Sequence, residues 1–145
     1  MPVVPFGAND IYQIVQTPEA VMILYEVIHD ARIIRMDGEH LSSNVRQWLG
    51  DSIGHWDADV LVVDTTNFNE SISSLGSTGK LHVSERFSRI GARTLLYEAT
   101  IEDPGAFTKP WTIEFPFVST AQKIFEYACH EGNYSLKNIL EGKGK

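Results

Sequence analysis

The amino-acid sequence predicts a mainly β protein, a single antiparallel up-and-down β-barrel of about eight strands with one or two short helices. Three observations support this prediction. Turn residues recur at short intervals along the 145-residue chain and separate runs rich in Val, Ile, Thr, Phe and Tyr. Within several of these runs apolar residues occupy every second position. The length is that of one domain, which is expected to span residues 1–145.

The predicted elements follow one another with short turns between them. The strands are expected at Ala20–His29, Ala31–Met36, Ile53–Trp56, Asp59–Thr66, Leu81–Ser88, Arg93–Glu102, Trp111–Val118 and Lys123–Cys129. Short helices are expected at Ser42–Leu49 and Tyr134–Leu140, where serines can begin a helix. Residues 1–19 form a lead segment, and residues 134–145 form a C-terminal tail.

Alternation assigns a face to each side chain and places one carboxylate on the apolar face. Leu81, Val83, Glu85 and Phe87 share the inward face of their strand. A three-residue loop at 89–91 would pair Glu85 with Leu95 and leave it diagonal to Tyr97. Strands with one apolar face must close to hide it, which favours a lipocalin-like barrel wide enough for one small ligand.

Composition excludes several classes of protein. The formal net charge of −7 and the sequence pI near 5.1 argue against nucleic acid or an anionic membrane surface as a partner. The longest apolar run, Val21–Tyr25, is too short to span a bilayer, and residues 1–20 do not resemble a secretory signal. The expected location is therefore the cytoplasm. Cys129, the single cysteine, cannot form a disulfide within the chain.

Several segments resemble a family of uncharacterised bacterial proteins. They are Tyr12–Pro18, His29–Ile34, Gly50–Trp56, Leu61–Asn69, Glu85–Phe87, Lys109–Thr112 and Glu126–Tyr134. The resemblance covers nearly the whole chain and implies a lipocalin-like or calycin-type barrel, but it implies no activity and no catalytic residues. The resemblance also implies that related proteins are longer and that some carry an export signal. Gly54-His55-Trp56 also resembles the Gly-x-Trp sequence of calycin barrels, which implies a packing role for Trp56.

The candidate catalytic residues are Glu85, His29 and Tyr97. A carboxylate on an apolar face must be paired, hydrogen-bonded or protonated, and a perturbed carboxyl suits acid/base catalysis. The structural alternative for Glu85 is a salt bridge at the barrel rim with Arg86, Arg89 or Arg93. His29 would complete an acid/base pair if it faces inward, although it stands beside Asp30 where a solvated turn is the alternative.

Aromatic and polar side chains on inward positions are candidate ligand contacts, with a purely structural core as the alternative. The candidate binding residues are Tyr25, Trp111, Phe115, Tyr127, Trp56 and His130. Asp64 is a secondary candidate because the inward face of its strand is ambiguous. The scattered histidines indicate no metal site, and no nucleotide or cofactor fingerprint is present, so no cofactor is expected.

These residues predict a cofactor-independent enzyme of the lyase, isomerase or cyclase type that acts on a small apolar or aromatic molecule inside the barrel. One alternative is a non-catalytic carrier for a small hydrophobic ligand. Another is a structural domain that mediates homodimer formation. A cavity of about 300 Å3 or more would favour the first two interpretations over the third.

Overall fold

The protein forms one mixed β-sheet curved into a half-barrel, as seen in a computed structural model that describes residues 11–71, 78–127, 131–132 and 134–142. Its elements are β1 (Tyr12–Gln16), β2 (Ala20–Tyr25), β3 (Ala31–Met36), β4 (Asp51–Asp57), β5 (Val60–Thr66), β6 (His82–Gly91), β7 (Thr94–Glu102), β8 (Trp111–Val118) and α1 (Ser135–Leu140). The mainly β prediction is confirmed. Within these ranges, no helix has the length and apolarity needed to cross a membrane.

The strands pair in chain order, but β3 and β4 run parallel to each other. All other neighbouring strands are antiparallel, so the prediction of a purely antiparallel sheet is wrong at this step. A parallel pair needs a connection of about a dozen residues or more, and residues 37–50 supply it. This segment contains turns and a bridge between Gln47 and Phe68 rather than the helix predicted at Ser42–Leu49.

Both ends of the sheet differ from the prediction. β1 lies in the segment expected to precede the barrel, and its Ile14 and Val15 are both exposed, so no alternation marked it as a strand. The predicted strand Lys123–Cys129 is wrong for residues 123–127, which form no strand, while residues 128–129 lie outside the described part. β2 ends at Tyr25 because Ile28 and His29 adopt positive φ values of 69° and 60° in the following turn.

The β6–β7 hairpin is longer than predicted. Gly91 pairs with Thr94 and a bulge lies between Arg89 and Gly91, so Glu85 pairs with Ala99 and not with Leu95. The predicted pairing was therefore four residues out of register. Because that shift is even, every side chain keeps its predicted face. Tyr97 pairs with Phe87 and still lies diagonal to Glu85, as predicted.

The concave face of the half-barrel carries the apolar core. Its buried members include Val21, Ile23, Ile34, Val63, Val83 and Ala99. In the described sheet β1 pairs only with β2 and β8 only with β7, so the two edge strands form no ladder with each other. Their side chains nevertheless meet, since the Tyr12 and Phe117 rings lie 5.4 Å apart. The Phe125 N–H also donates to Glu26 Oε1 at 3.3 Å, which ties the segment after β8 to the end of β2.

Candidate functional site

A charged pair lies at the centre of the concave face. Arg32 of β3 and Glu85 of β6 are 1 % and 0 % exposed. Arg32 Nη1 donates to Glu85 Oε1 at 2.9 Å, and Arg32 Nη2 donates to Glu85 Oε2. The guanidinium therefore binds the carboxylate through both oxygens, which is the geometry that Arg–carboxylate pairs favour. The pairing with Arg86, Arg89 or Arg93 considered from the sequence is replaced by a pairing with Arg32.

Neighbouring polar groups complete the hydrogen bonds of this pair. Arg32 Nε donates to Ser52 Oγ at 3.0 Å, and Nη2 donates to Thr65 Oγ1 at 2.7 Å. The Tyr97 hydroxyl donates to Glu85 Oε1 at 2.8 Å. Burial by itself disfavours the guanidinium charge, but the Glu85 carboxylate outweighs burial and raises the pKa of Arg32 above its ordinary value. Both oxygens of Glu85 are thus occupied by donors.

Tyr25 and Trp111 each carry a buried polar atom near the concave face. The Trp111 indole Nε1 has no hydrogen-bond partner among the described residues, whereas the Tyr25 hydroxyl lies beside the Arg32 guanidinium. Burial raises the pKa of Tyr25 and outweighs the opposing effect of the nearby Arg32 charge. Tyr25 packs edge-on against Tyr12 at 5.4 Å, and Trp111 packs edge-on against Phe107 at 5.7 Å. Both predicted binding residues therefore belong to the aromatic packing of the half-barrel.

Aromatic rings surround the Tyr97 side of the charged pair. The Tyr97 ring lies 4.9 Å from Phe87, 5.1 Å from Phe115 and 5.5 Å from Phe117. Phe115 and Phe117 are themselves in contact at 5.2 Å. Phe115, a predicted binding residue, is part of this aromatic layer. Since Phe87 and Phe117 also line the cavity described next, the layer lies between that cavity and Tyr97.

A cavity of about 670 Å3 opens at the end of the half-barrel where the β6–β7 hairpin meets β1 and the segment after β8. Its apolar wall includes Ile14, Ile23, Phe87, Leu95, Phe117 and Ile124. Arg89, Arg93 and Lys123 also line it. Neither Glu85 nor His29 is among the lining residues. The cavity and the predicted catalytic pair are therefore separate features of the molecule.

Of the remaining candidates, those in the described part of the chain do not line the cavity. His29 is exposed in the β2–β3 turn, so it does not face inward, and Glu85 is fully buried. Trp56, the penultimate residue of β4, is 47 % exposed, and Tyr127 is 46 % exposed outside any strand. His130 lies outside the described residues. Of the three predicted catalytic residues, the fold brings together Glu85 and Tyr97.

A second polar cluster lies on the convex face, where the 37–50 connection covers the sheet. His40 Nδ1 lies 3.1 Å from Asp51 Oδ2, and His40 Nε2 lies 2.7 Å from Asp64 Oδ1. His82 Nε2 contacts the other oxygen, Asp64 Oδ2. The His40 ring therefore bridges two aspartates that belong to different strands, Asp51 of β4 and Asp64 of β5. The connection is also fastened by the Leu41 N–H, which donates to Asp51 Oδ2 at 2.7 Å.

The Asp64–His82 pair of the convex cluster is accessible to water. The hydrogen bond from His82 lowers the pKa of Asp64, and the same bond raises the pKa of His82 above its ordinary value of 6.5. The Asp64 and His82 side chains are 42 % and 39 % exposed. Within the described ranges, no three His, Cys, Asp or Glu side chains are arranged to hold a metal ion. The contacts of His40 and Leu41 hold the 37–50 connection on the sheet.

Sequence reasoning missed Arg32, His40, Asp51 and His82. The signal for Arg32 was weak because Ala31–Met36 carries isoleucines at both parities, Ile33 exposed and Ile34 buried. His40 had no local signal at all, since its contacts depend on how the 37–50 connection crosses the sheet.

No protein-family model, curated protein sequence or solved structure matches the chain. The resemblance to a bacterial family stated above therefore stays a prediction.

Proposed function

We propose that the protein binds a small, largely apolar molecule in the cavity at the end of the half-barrel, in the manner of a lipocalin-like carrier. Support comes from the cavity itself, whose volume of about 670 Å3 lies in the range of small-molecule sites. Its wall combines aliphatic and aromatic side chains from both edges of the sheet, including Ile14 of β1 and Phe117 of β8. Binding of an apolar ligand against such a wall is favourable because apolar surface is removed from water.

The contacts of Glu85 favour binding over acid/base catalysis. A general acid or base needs to reach a substrate proton within hydrogen-bond distance. Both Glu85 oxygens accept hydrogen bonds from Arg32, and Tyr97 donates to one of them. The cofactor-independent lyase, isomerase or cyclase activity, the homodimer and the cytoplasmic location stay predictions.

A matched pair of variants tests the binding proposal. Leu95 lines the cavity, whereas its neighbour Leu96 points to the opposite face of β7. The neutral fluorophore Nile red is titrated into each protein, and its emission reports transfer to an apolar site. We expect Leu95→Trp to fill the cavity and weaken Nile red binding by roughly tenfold or more, a loss of about 1.4 kcal/mol. Leu96→Trp is expected to bind Nile red like the unsubstituted protein.

Two results would reject the proposal. One is that Leu95→Trp and Leu96→Trp change the affinity for Nile red to the same extent, and the other is that the unsubstituted protein does not bind Nile red. Circular dichroism and thermal unfolding of both variants establish that each is folded before the affinities are compared. A folded protein that fails to bind any apolar probe favours the structural, dimer-forming interpretation.

A further inference from the structure

The cavity carries positive charge in a protein whose overall charge is negative. The chain has a formal net charge of −7, yet Arg89, Arg93 and Lys123 line the cavity. Among the described residues that line it, none is Asp or Glu. The local charge at this end of the half-barrel is therefore opposite in sign to that of the whole chain.

The two arginines that line the cavity differ from the other arginines of the chain in their carboxylate partners. Arg32, Arg35, Arg46 and Arg86 form ion pairs with Glu85, Asp51, Glu70 and Asp57 respectively. In the described part of the structure, Arg89 and Arg93 have no carboxylate within ion-pair distance. The arginines without an internal acidic partner are thus the ones that border the cavity.

Arg93 is held in position by neutral groups. Its Nη2 donates to the Ser119 carbonyl oxygen at 2.7 Å, and its Nε donates to Ser119 Oγ at 3.2 Å. A guanidinium has five N–H donors, so these two bonds leave further donors on the same group. Arg89 Nη1 donates to the Ala92 carbonyl oxygen at 3.3 Å. Neutral acceptors of this kind orient a guanidinium without neutralising its charge.

We infer that the ligand of this cavity is an amphipathic carboxylate, with its apolar body against Ile23, Leu95 and Phe117 and its carboxylate at Arg93, Arg89 and Lys123. This inference rests on the proposed function and adds the chemical class of the ligand. A planar guanidinium pairs with a carboxylate through two parallel hydrogen bonds, which a neutral alcohol of the same length cannot reproduce.

The test compares two probes of equal chain length, decanoate and decanol, by isothermal titration calorimetry below their aggregation concentrations. We expect the unsubstituted protein to bind decanoate roughly tenfold or more tightly than decanol, as charge-assisted hydrogen bonds of this kind imply. Arg93→Gln should remove most of that preference while leaving decanol affinity unchanged. Lys123→Gln provides a second variant, because the Lys123 side chain forms no hydrogen bond with another residue that the structure describes.

Arg86→Gln is the matched control, because Arg86 lies on the same hairpin but pairs with Asp57 and does not line the cavity. It should keep the full preference for decanoate. Equal affinity for decanoate and decanol in the unsubstituted protein would overturn the inference and leave the proposed binding function standing. Failure to bind either probe, together with failure to bind Nile red, would overturn both.

Two further outcomes would also overturn the inference. One is a dimer by light scattering that Arg93→Gln dissociates while neither probe binds, which would assign the cavity to a second copy of the chain. The other is cosedimentation with anionic phospholipid vesicles without any binding of monomeric decanoate, which would assign the cations to a lipid surface.

Discussion

The two faces of the sheet carry ionic clusters of opposite character. On the concave face, Arg32 and Glu85 are fully buried and bound at both carboxylate oxygens. On the convex face, Asp64 and His82 keep about two fifths of their surfaces in water. Removing one partner of a buried pair leaves an uncompensated charge, whereas water solvates the survivor of an exposed pair. The carboxylate that alternation marks as unusual is therefore fully paired inside the fold, and the partly exposed pair whose pKa values are shifted, Asp64 and His82, lies on the other face.

The largest expected effect comes from breaking the concave pair. Glu85→Gln removes the negative charge and leaves the Arg32 guanidinium buried, so we expect a loss of about 3–5 kcal/mol in the free energy of unfolding. Chemical denaturation followed by circular dichroism measures this loss. The double variant Arg32→Met with Glu85→Leu removes both charges and should recover most of the stability.

Asp64→Asn is the control on the convex face, where we expect a loss of about 1 kcal/mol or less. If Glu85→Gln costs no more than Asp64→Asn, the two clusters do not differ in the way described. The same outcome would return Glu85 to consideration as a group free to act on a ligand.

A smaller effect is expected from the hydroxyl that completes the concave pair. Tyr97→Phe removes the donor to Glu85 Oε1 and keeps the ring in contact with Phe87, Phe115 and Phe117. Because the acceptor is charged and buried, we expect a loss of about 1.5–3 kcal/mol in the free energy of unfolding. Tyr127→Phe, at a half-exposed position, is the comparison variant and should cost less. An unchanged unfolding midpoint for Tyr97→Phe would show that the hydroxyl contributes nothing net.

The smallest effect is a pH dependence that arises on the convex face. The pKa of His82 is raised in the folded protein, so its contribution to stability is complete below pH 6.5, the ordinary value, and is lost as pH rises through the raised pKa. The pKa of Asp64 is lowered below 3.8, so its contribution is complete above pH 3.8 and is lost as pH falls through the lowered pKa. Between these limits the contribution of the pair should be flat.

Since both side chains are partly exposed, water screens the pair and the change above pH 6.5 should amount to about 1 kcal/mol or less. Denaturation curves at pH 6 and pH 9 (chosen on either side of the roughly neutral transition of histidine) measure it. His82→Gln should abolish this part of the difference, and His29→Gln, at an exposed turn, should retain it. A difference that is the same in all three proteins would exclude the His82–Asp64 pair as its source.

Alternation along the strands predicted much of the concave face. It placed Val83, Glu85 and Phe87 inward, and it kept Glu85 diagonal to Tyr97 even though the hairpin pairs four residues away from the predicted register. A period of two survives any even shift, which is why faces are more predictable than partners. Alternation failed at β1, where Ile14 and Val15 are both exposed on an edge strand.

The candidate site was predicted only in part for the same reason. Glu85 was found because it interrupts an alternating apolar pattern, and Tyr97 was found because it belongs to one. Arg32 was missed as the partner because its strand has apolar residues on both faces, so the alternatives were the arginines nearest Glu85 in sequence. The cavity could not be predicted from any one segment, since β1, the β6–β7 hairpin and the residues after β8 all contribute to its wall.

The sequence by itself determined that the protein is mainly β, that the apolar side chains of β6, β7 and β8 mostly share one face of the sheet, and that Glu85 lies on that face, because these properties depend on neighbours along the chain. The tertiary structure decided that β3 and β4 pair in parallel, that Arg32 neutralises Glu85, and that His40 reaches Asp64. These three contacts join residues that are far apart in sequence. They depend on the path of the 37–50 connection and on strand register, neither of which a local pattern specifies.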